Sequence, residues 1–248
     1  MRKANKNPVG NRARLSLSEQ NIINNVRLDT SNRVLVIGDI HAPFERKDYL
    51  QFCIDTYNKY RCNKVVFIGD CIDNHFSSYH ETDADGRGGG DELDLAIKRI
   101  AGWYKAFPDA YVTIGNHDAI IMRKAQSSSI PANWIKNYNE VLNTPNWKWV
   151  TDIIIDDVRY VHGHKSSKAR TAAKRDMQST VTGHFHTDMY VEWMFGSNKA
   201  VFAMGVGCGI DSKSYAMAYM QGGKKEALGC GVVLDNGKTP ITVKMDLS

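Results

Sequence analysis

With 248 residues, 42% of them hydrophobic, the chain is long enough to bury a large core within one α/β domain. No stretch approaches the roughly 20 apolar residues of a membrane span, and the N-terminus lacks the apolar middle of a secretory signal. Five cysteines (Cys53, Cys62, Cys71, Cys208, Cys230) without any C-x-x-C spacing argue against a disulfide framework or zinc ribbon and for a reducing cytoplasm.

The formal net charge of +5 belongs to one end of the chain. Residues 1 to 18 carry Arg2, Lys3, Lys6, Arg12 and Arg14 and no acid, while basic and acidic side chains balance in the remainder. The reading is a flexible basic arm over residues 1–30 and one domain over 31–248. Such an arm either binds a polyanion such as nucleic acid or is simply solvated.

Val34-Leu35-Val36-Ile37, Val65-Val66-Phe67-Ile68 and Tyr111-Val112-Thr113-Ile114 are short apolar runs, each leading directly into Gly-Asp or Gly-Asn. Runs of that kind suit strands buried on both faces. Between the first two, Leu50, Cys53, Ile54 and Tyr57 repeat at helical spacing; between the second and third, Leu93, Ala96, Ile97, Ile100 and Tyr104 do the same. This pattern predicts βαβαβ with mostly parallel strands, whose carboxyl ends are where ligands bind in open sheets. Farther on, residues 147 to 162 read as two strands around the Asp156-Asp157 turn, and Ser166 to Met177 as a helix. Val181-Thr182 reads as a strand, and Met189 to Phe195 with Ala200 to Val206 as a strand pair. Asp235-Asn236-Gly237 marks a hairpin between 232–234 and 241–243. The later hairpins predict a second, mixed sheet packed on the first.

All eight histidines fall inside or just behind five clusters. These are Gly38-Asp39-Ile40-His41, Gly69-Asp70-Cys71-Ile72-Asp73-Asn74-His75 with His80 behind it, Gly115-Asn116-His117-Asp118, His162-Gly163-His164, and Gly183-His184-Phe185-His186. Nitrogen and oxygen donors in this mixture suit a hard or borderline divalent cation. The two carboxylates Asp39 and Asp70, the Asn116 amide oxygen and up to eight imidazoles are too many donors for one ion. Two neighbouring metals sharing a carboxylate would use them, and two-metal sites roughly 3.5–4 Å apart are typical of phosphoester hydrolysis.

The ordered series Asp-x-His, Gly-Asp-x-x-Asp, Gly-Asn-His-Asp, His-Gly-His and Gly-His-x-His resembles the calcineurin-like metallophosphoesterase superfamily, over residues 38 to 186. The basic N-terminus and the long loop after the second motif look like members encoded by phages and prophages. The resemblance implies an α/β fold of two packed mixed sheets flanked by helices, and two divalent ions, manganese foremost, with iron, zinc, nickel or cobalt also acceptable. Asp39, His41 and His186 would hold one ion, Asn116, His162 and His184 the other, and Asp70 would bridge them. His117 would contact the phosphate and protonate the departing oxygen, helped by Asp118, and Asn116 would also face the substrate. Asp73 and His164 would orient ligands or water, and a metal-bridging hydroxide would attack phosphorus in line. The implied function is a phosphodiesterase acting on a nucleotide or nucleic acid. A phosphomonoesterase, a protein phosphatase and a non-catalytic metal-binding scaffold are the alternatives. The protein phosphatase branch follows its second motif with a phosphate-gripping arginine; here that position is Asn74.

Three further features have open readings. His75 and His80 match no ligand position and either face the substrate or sit in a plain loop. Glu81 to Glu92 nearly fits an EF-hand calcium loop, although a glycine-rich flap beside the metals explains it better. Lys165, Lys168, Arg170, Lys174 and Arg175 crowd one short helix, either as a solvated face or as a grip on a phosphate backbone.

Overall fold

β-branched and aliphatic residues occupy every position of the first strand, β1 (Val34–Ile37), because both of its faces are covered. The computed structural model describes residues 16–21, 30–79, 86–164, 168–211, 213–214 and 225–246. The basic side chains of residues 2–14, His80, residues 81–85 and Lys165 lie outside that set. Within residues 1–31, residues 17–21 are helical. Ser16 and Glu19 form a reciprocal cap there: the Glu19 N–H donates to Ser16 Oγ at 3.2 Å and the Ser16 N–H donates to Glu19 Oε2 at 2.8 Å.

In residues 32–248, β1 is followed by helix α1 (Tyr49–Lys59), β2 (Lys64–Phe67), helix α2 (Gly89–Ala106) and β3 (Tyr111–Thr113). The three strands pair in parallel as the spacing predicts. Next come α3 (Ile120–Ser127), the short α4 (Tyr138–Leu142), β4 (Lys148–Val150), β5 (Asp152–Ile155), β6 (Val158–Val161), α5 (Ala169–Asp176), β7 (Ser179–Thr182), β8 (Met189–Phe195), β9 (Ala200–Val206), β10 (Gly229–Leu234) and β11 (Thr239–Lys244).

Among the described residues one sheet runs β11-β10-β1-β2-β3-β4 and the other β5-β6-β7-β9-β8. Two expectations change here. The β10–β11 hairpin belongs to the first sheet, because β10 pairs antiparallel with β1 (Leu35 opposite Val232). The stretch from Trp147 holds a third strand, β4, which pairs in parallel with β3 before the chain crosses to the second sheet. Hydrophobic period identifies a strand but does not name its neighbour.

Alternation along β1 sorts the core. Leu35 and Ile37 join Phe67, Trp103 and Trp147 between the first sheet and helices α1 and α2. Val34 and Val36 join Val66, Ile68, Tyr160, Val181, Phe202 and Met204 between the two sheets. Ala169 and Ala173 of α5 pack on Ala203 behind the second sheet. The layers are therefore helix, sheet, sheet, helix, and the carboxyl ends of β1, β2, β3, β6 and β7 carry the histidine clusters. No helix among the described residues is long and apolar enough to cross a membrane.

Candidate metal centre

Asp39, Asp70 and Asn116 each sit two or three residues beyond the end of a parallel strand, so their side chains leave the sheet at a common edge. His162 follows β6, and His184 and His186 follow β7, bringing imidazoles from the second sheet to the same edge. His41, Asp70 and His184 adopt left-handed backbone (φ 48°, 47° and 64°). That conformation costs an L residue roughly 1–2 kcal/mol and persists only where the surroundings enforce it. The glycines ahead of the donors serve close approach: a Cβ at Gly115 would lie 2.1 Å from Asp70 Oδ1, and one at Gly183 would lie 2.2 Å from Asp39 Oδ1.

Among the described residues three donor sets converge, two of them sharing Asp70 and the third made of His41, Asp73 and His117. One ligating atom each from Asp39, His41, Asp70 and His186 lies within 4.8 Å of the others, and so do those of Asp70, His162 and His184. In the first set His41 Nε2 and His186 Nε2 face each other at 3.1 Å, and His186 Nε2 is 3.1 Å from Asp39 Oδ2. His41 Nδ1 is 2.5 Å from Asp73 Oδ1, which fixes this ring with Nδ1 as donor and leaves the Nε2 lone pair pointing into the cluster. In the second set His162 Nδ1 donates to the Ile68 carbonyl at 2.9 Å. Its Nε2 faces Asn116 Oδ1 at 3.0 Å and Asp70 Oδ2 at 3.1 Å.

This donor chemistry fits cations. The two oxygens facing His162 Nε2 draw positive charge to that position, supplied either by a proton on the ring or by a metal ion. Burial opposes that charge on the ring, yet Asp70 and Asp39 outweigh it and push the His162 pKa up to about 10. Asp39 Oδ1 is buried without a hydrogen-bond partner, a costly arrangement that a metal would satisfy. Asp70 stays well below the usual carboxylate range despite burial, because His162, His41 and His117 surround it. Burial lowers His184 to about 4, reinforced by the neighbouring His162, so its imidazole is neutral and free to ligate.

His117 lies at the edge, its ring centroid 4.5 Å from that of His41. Its Nδ1 donates to the Asp73 carbonyl at 2.7 Å and lies 3.3 Å from Asp73 Oδ1. Burial opposes protonation, but Asp70 and Asp73 outweigh it and raise the His117 pKa above its ordinary value. Asp118 meets the backbone instead: its two oxygens accept from the N–H groups of Ile72 (3.1 Å) and Gly115 (2.9 Å). The carboxylate next to the His117 ring is therefore that of Asp73. Asn74 donates its side-chain N–H to the His117 carbonyl at 2.9 Å. His164 is exposed, with its ring 5.9 Å from His184, and His75 lies on the far side of Asp73, Nδ1 4.0 Å from Asp73 Oδ2.

One residue outside the sequence motifs organises this loop. Glu92, buried in the first turn of α2, accepts the N–H groups of His75 (2.7 Å) and Phe76 (3.1 Å). As the twelfth position of the calcium-like pattern it would have to face an ion, but both of its oxygens are engaged by backbone. Only its place in a helix first turn hinted at this role.

Residues 32–211 match the sequence profile of the calcineurin-like phosphoesterase family. The chain belongs to that family. The helix, sheet, sheet, helix layering is the fold expected of a calcineurin-like phosphoesterase, with its donors on the sheet edge. No curated protein matches the sequence. Among solved structures the chain is similar to Vacuolar Protein Sorting 29 from Cryptosporidium parvum, with TM-score 0.45 and 14% identity over 82% of this chain and 85% of that one. It is also similar to YfcE, a phosphoesterase from E. coli, with TM-score 0.39 and 12% identity over 81% and 87%. A third is the nuclease MPE from Pseudomonas putida, with TM-score 0.32 and 11% identity over 84% and 85%. Family membership rests on the sequence profile and not on these distant likenesses.

Proposed function

We propose that this calcineurin-like chain is a phosphodiesterase dependent on two divalent metal ions, acting on a nucleotide or nucleic-acid phosphoester. Asp39, His41 and His186 would hold one ion, Asn116, His162 and His184 the other, and Asp70 both. The observation that carries the reading is the convergence of His41 Nε2, His186 Nε2 and His162 Nε2 on the Asp39 and Asp70 carboxylates, all buried or nearly so. Manganese is the proposed occupant, since such donors accept several first-row ions and availability decides among them. When bound, the ions supply Lewis acidity that activates water near neutral pH and neutralises charge on the phosphoryl oxygens.

The side chains supply the rest. Asp73 orients the His117 ring through its carbonyl and carboxylate, and His117, whose pKa Asp70 and Asp73 raise, would give a proton to the leaving oxygen. Asn74 secures the His117 backbone, so the position that bears a phosphate-gripping arginine in the protein phosphatase branch serves the scaffold. A monoester dianion gains most from a guanidinium, so its replacement favours a diester. The Gly-His-x-His ending, similar to the phosphodiesterase and nuclease branches, supports the nucleotide class. Five buried thiols with no disulfide among them agree with a reducing cytoplasm.

The test is hydrolysis of a nitrophenyl diester against the corresponding monoester after manganese reconstitution. A higher kcat/KM for the diester supports the reading. Preference for the monoester overturns the diesterase assignment, and no turnover of either by metal-loaded protein makes the chain a scaffold.

A further inference from the structure

Behind the His117 loop lies a cavity of about 530 Å³, within the roughly 300–1,000 Å³ of small-ligand sites. Its lining is mostly apolar: Phe76 from the turn after Asn74, Leu93 and Ala96 from α2, Ile121 and Met122 from α3, and Val141 from α4. Asn74 and Asp118 form one wall, so the cavity shares its wall with the residues that flank His117. Phe76 and Ile121 are 55% and 40% exposed, large apolar surfaces that a globular chain ordinarily covers. Outside the lining, two residues beyond its Ser77, Tyr79 (56% exposed) carries the guanidinium of Arg123, which follows the lining's Met122 in the chain, 5.0 Å and the Lys124 ammonium 5.3 Å from its ring centre.

We propose that this cavity is the subsite for the base of a nucleotide substrate, with the Tyr79, Arg123 and Lys124 cluster receiving the anionic backbone beside it. The proposal rests on the phosphoesterase reading above and names the part of the substrate that the donor cluster does not touch. An apolar slot beside a pair of cations complements a ligand that is aromatic at one end and anionic at the other. Glu92 and Asp118, the two acids in the lining, both have their oxygens turned to backbone N–H groups rather than to the cavity. Lys136 is the lining's one cation. Aromatic stacking on exposed Phe76 tolerates any base, because every base has a π-face.

The experiment uses full-length, manganese-loaded protein with adenosine, which lacks the phosphate that metals would hold. Saturation-transfer NMR should show adenosine bound through its base, with ribose giving no signal. Adenosine should inhibit hydrolysis of the nitrophenyl diester competitively, raising KM at constant kcat. Leu93→Trp, which fills the cavity, and Phe76→Ala, which strips its mouth at an exposed position, should each weaken adenosine by about tenfold or more with two metals retained. Absence of base contacts in the wild type, or adenosine affinity unchanged in both variants, overturns the subsite whether or not the diester is hydrolysed. Non-competitive inhibition would make the cavity a separate site and overturn it equally. A wild type that binds adenosine but hydrolyses no diester leaves the cavity standing and refutes the proposed activity instead.

Discussion

The backbone N–H of His117 donates to Oδ1 of Asp70 at 2.8 Å. That bond occupies one carboxylate oxygen and leaves Oδ2, which lies 3.1 Å from His162 Nε2 and 3.6 Å from His41 Nε2, one histidine from each donor set that contains Asp70. A single oxygen between two sets suits the bridging role proposed for Asp70. Asp70→Ala should therefore lower bound metal from two ions to one or none and abolish diester hydrolysis. Wild-type metal content in the variant would remove Asp70 from the bridge.

The His117 ring shares a donor set with His41 and Asp73 but belongs to neither set that contains Asp70, so its removal should separate chemistry from binding of the two proposed ions. His117→Ala is expected to keep both ions and lose about 10²–10⁴ in rate, with a smaller loss for good leaving groups. Equal losses on good and poor leaving groups would show that it is no acid.

Gly115 and Gly183 make room for Asp70 and Asp39. Gly115→Ala puts a methyl 2.1 Å from Asp70 Oδ1, so that carboxylate must move. Overpacking of this kind costs about 1–3 kcal/mol, and here it should also weaken metal affinity. Urea unfolding of metal-free protein measures the first and metal titration the second; an unchanged affinity would mean that the Asp70 position is not critical.

Much of this was legible in the residues. Apolar runs ending in Gly-Asp or Gly-Asn mark strands whose tips carry ligands, and Met189 to Phe195 and Ala200 to Val206 are strands over those very bounds. Strand partners were not legible: β4 and the β10–β11 hairpin join the first sheet through pairings distant in sequence. Helices α3 and α4 show no sequence period: Ile120–Ser127 buries only Ile120 and Ala125, and Tyr138–Leu142 spans little more than one turn. That Asp73 meets His117 and that Glu92 meets the His75 backbone depends on three-dimensional closure, of which the sequence carries only the position of Glu92 in a helix first turn.

The Glu45 carboxyl is buried, and burial pushes its pKa from 4.5 up to about 7, only partly offset by Arg99 at 3.7 Å. Native protein thus holds a proton between pH 4.5 and about 7 that the unfolded chain releases. Stability should fall as pH rises through that window, with the full cost present above it. Glu45→Gln should flatten this slope and add up to about 3 kcal/mol above neutrality. Urea midpoints from pH 4 upward test it, and a slope identical to wild type would contradict it.

The basic residues of α5 are largely engaged on the protein itself. Lys168 lies 3.4 Å from Asp188, Arg170 pairs with Glu192, and Arg175 lies 2.7 Å from Asp176. Each phosphate neutralised would add about 0.7–0.9 to the slope of log K against log salt. Changing Lys168, Arg170 and Arg175 to Ala should therefore leave the salt slope of oligonucleotide binding unchanged. A flatter slope would show that these side chains abandon their acids for a phosphate backbone.

Seven side chains are proposed to hold a pair of metal ions. Elemental analysis of the full-length protein after saturation with manganese and removal of free ion tests it without reference to any substrate. Two ions per chain is the expected result, and one ion or none would contradict it.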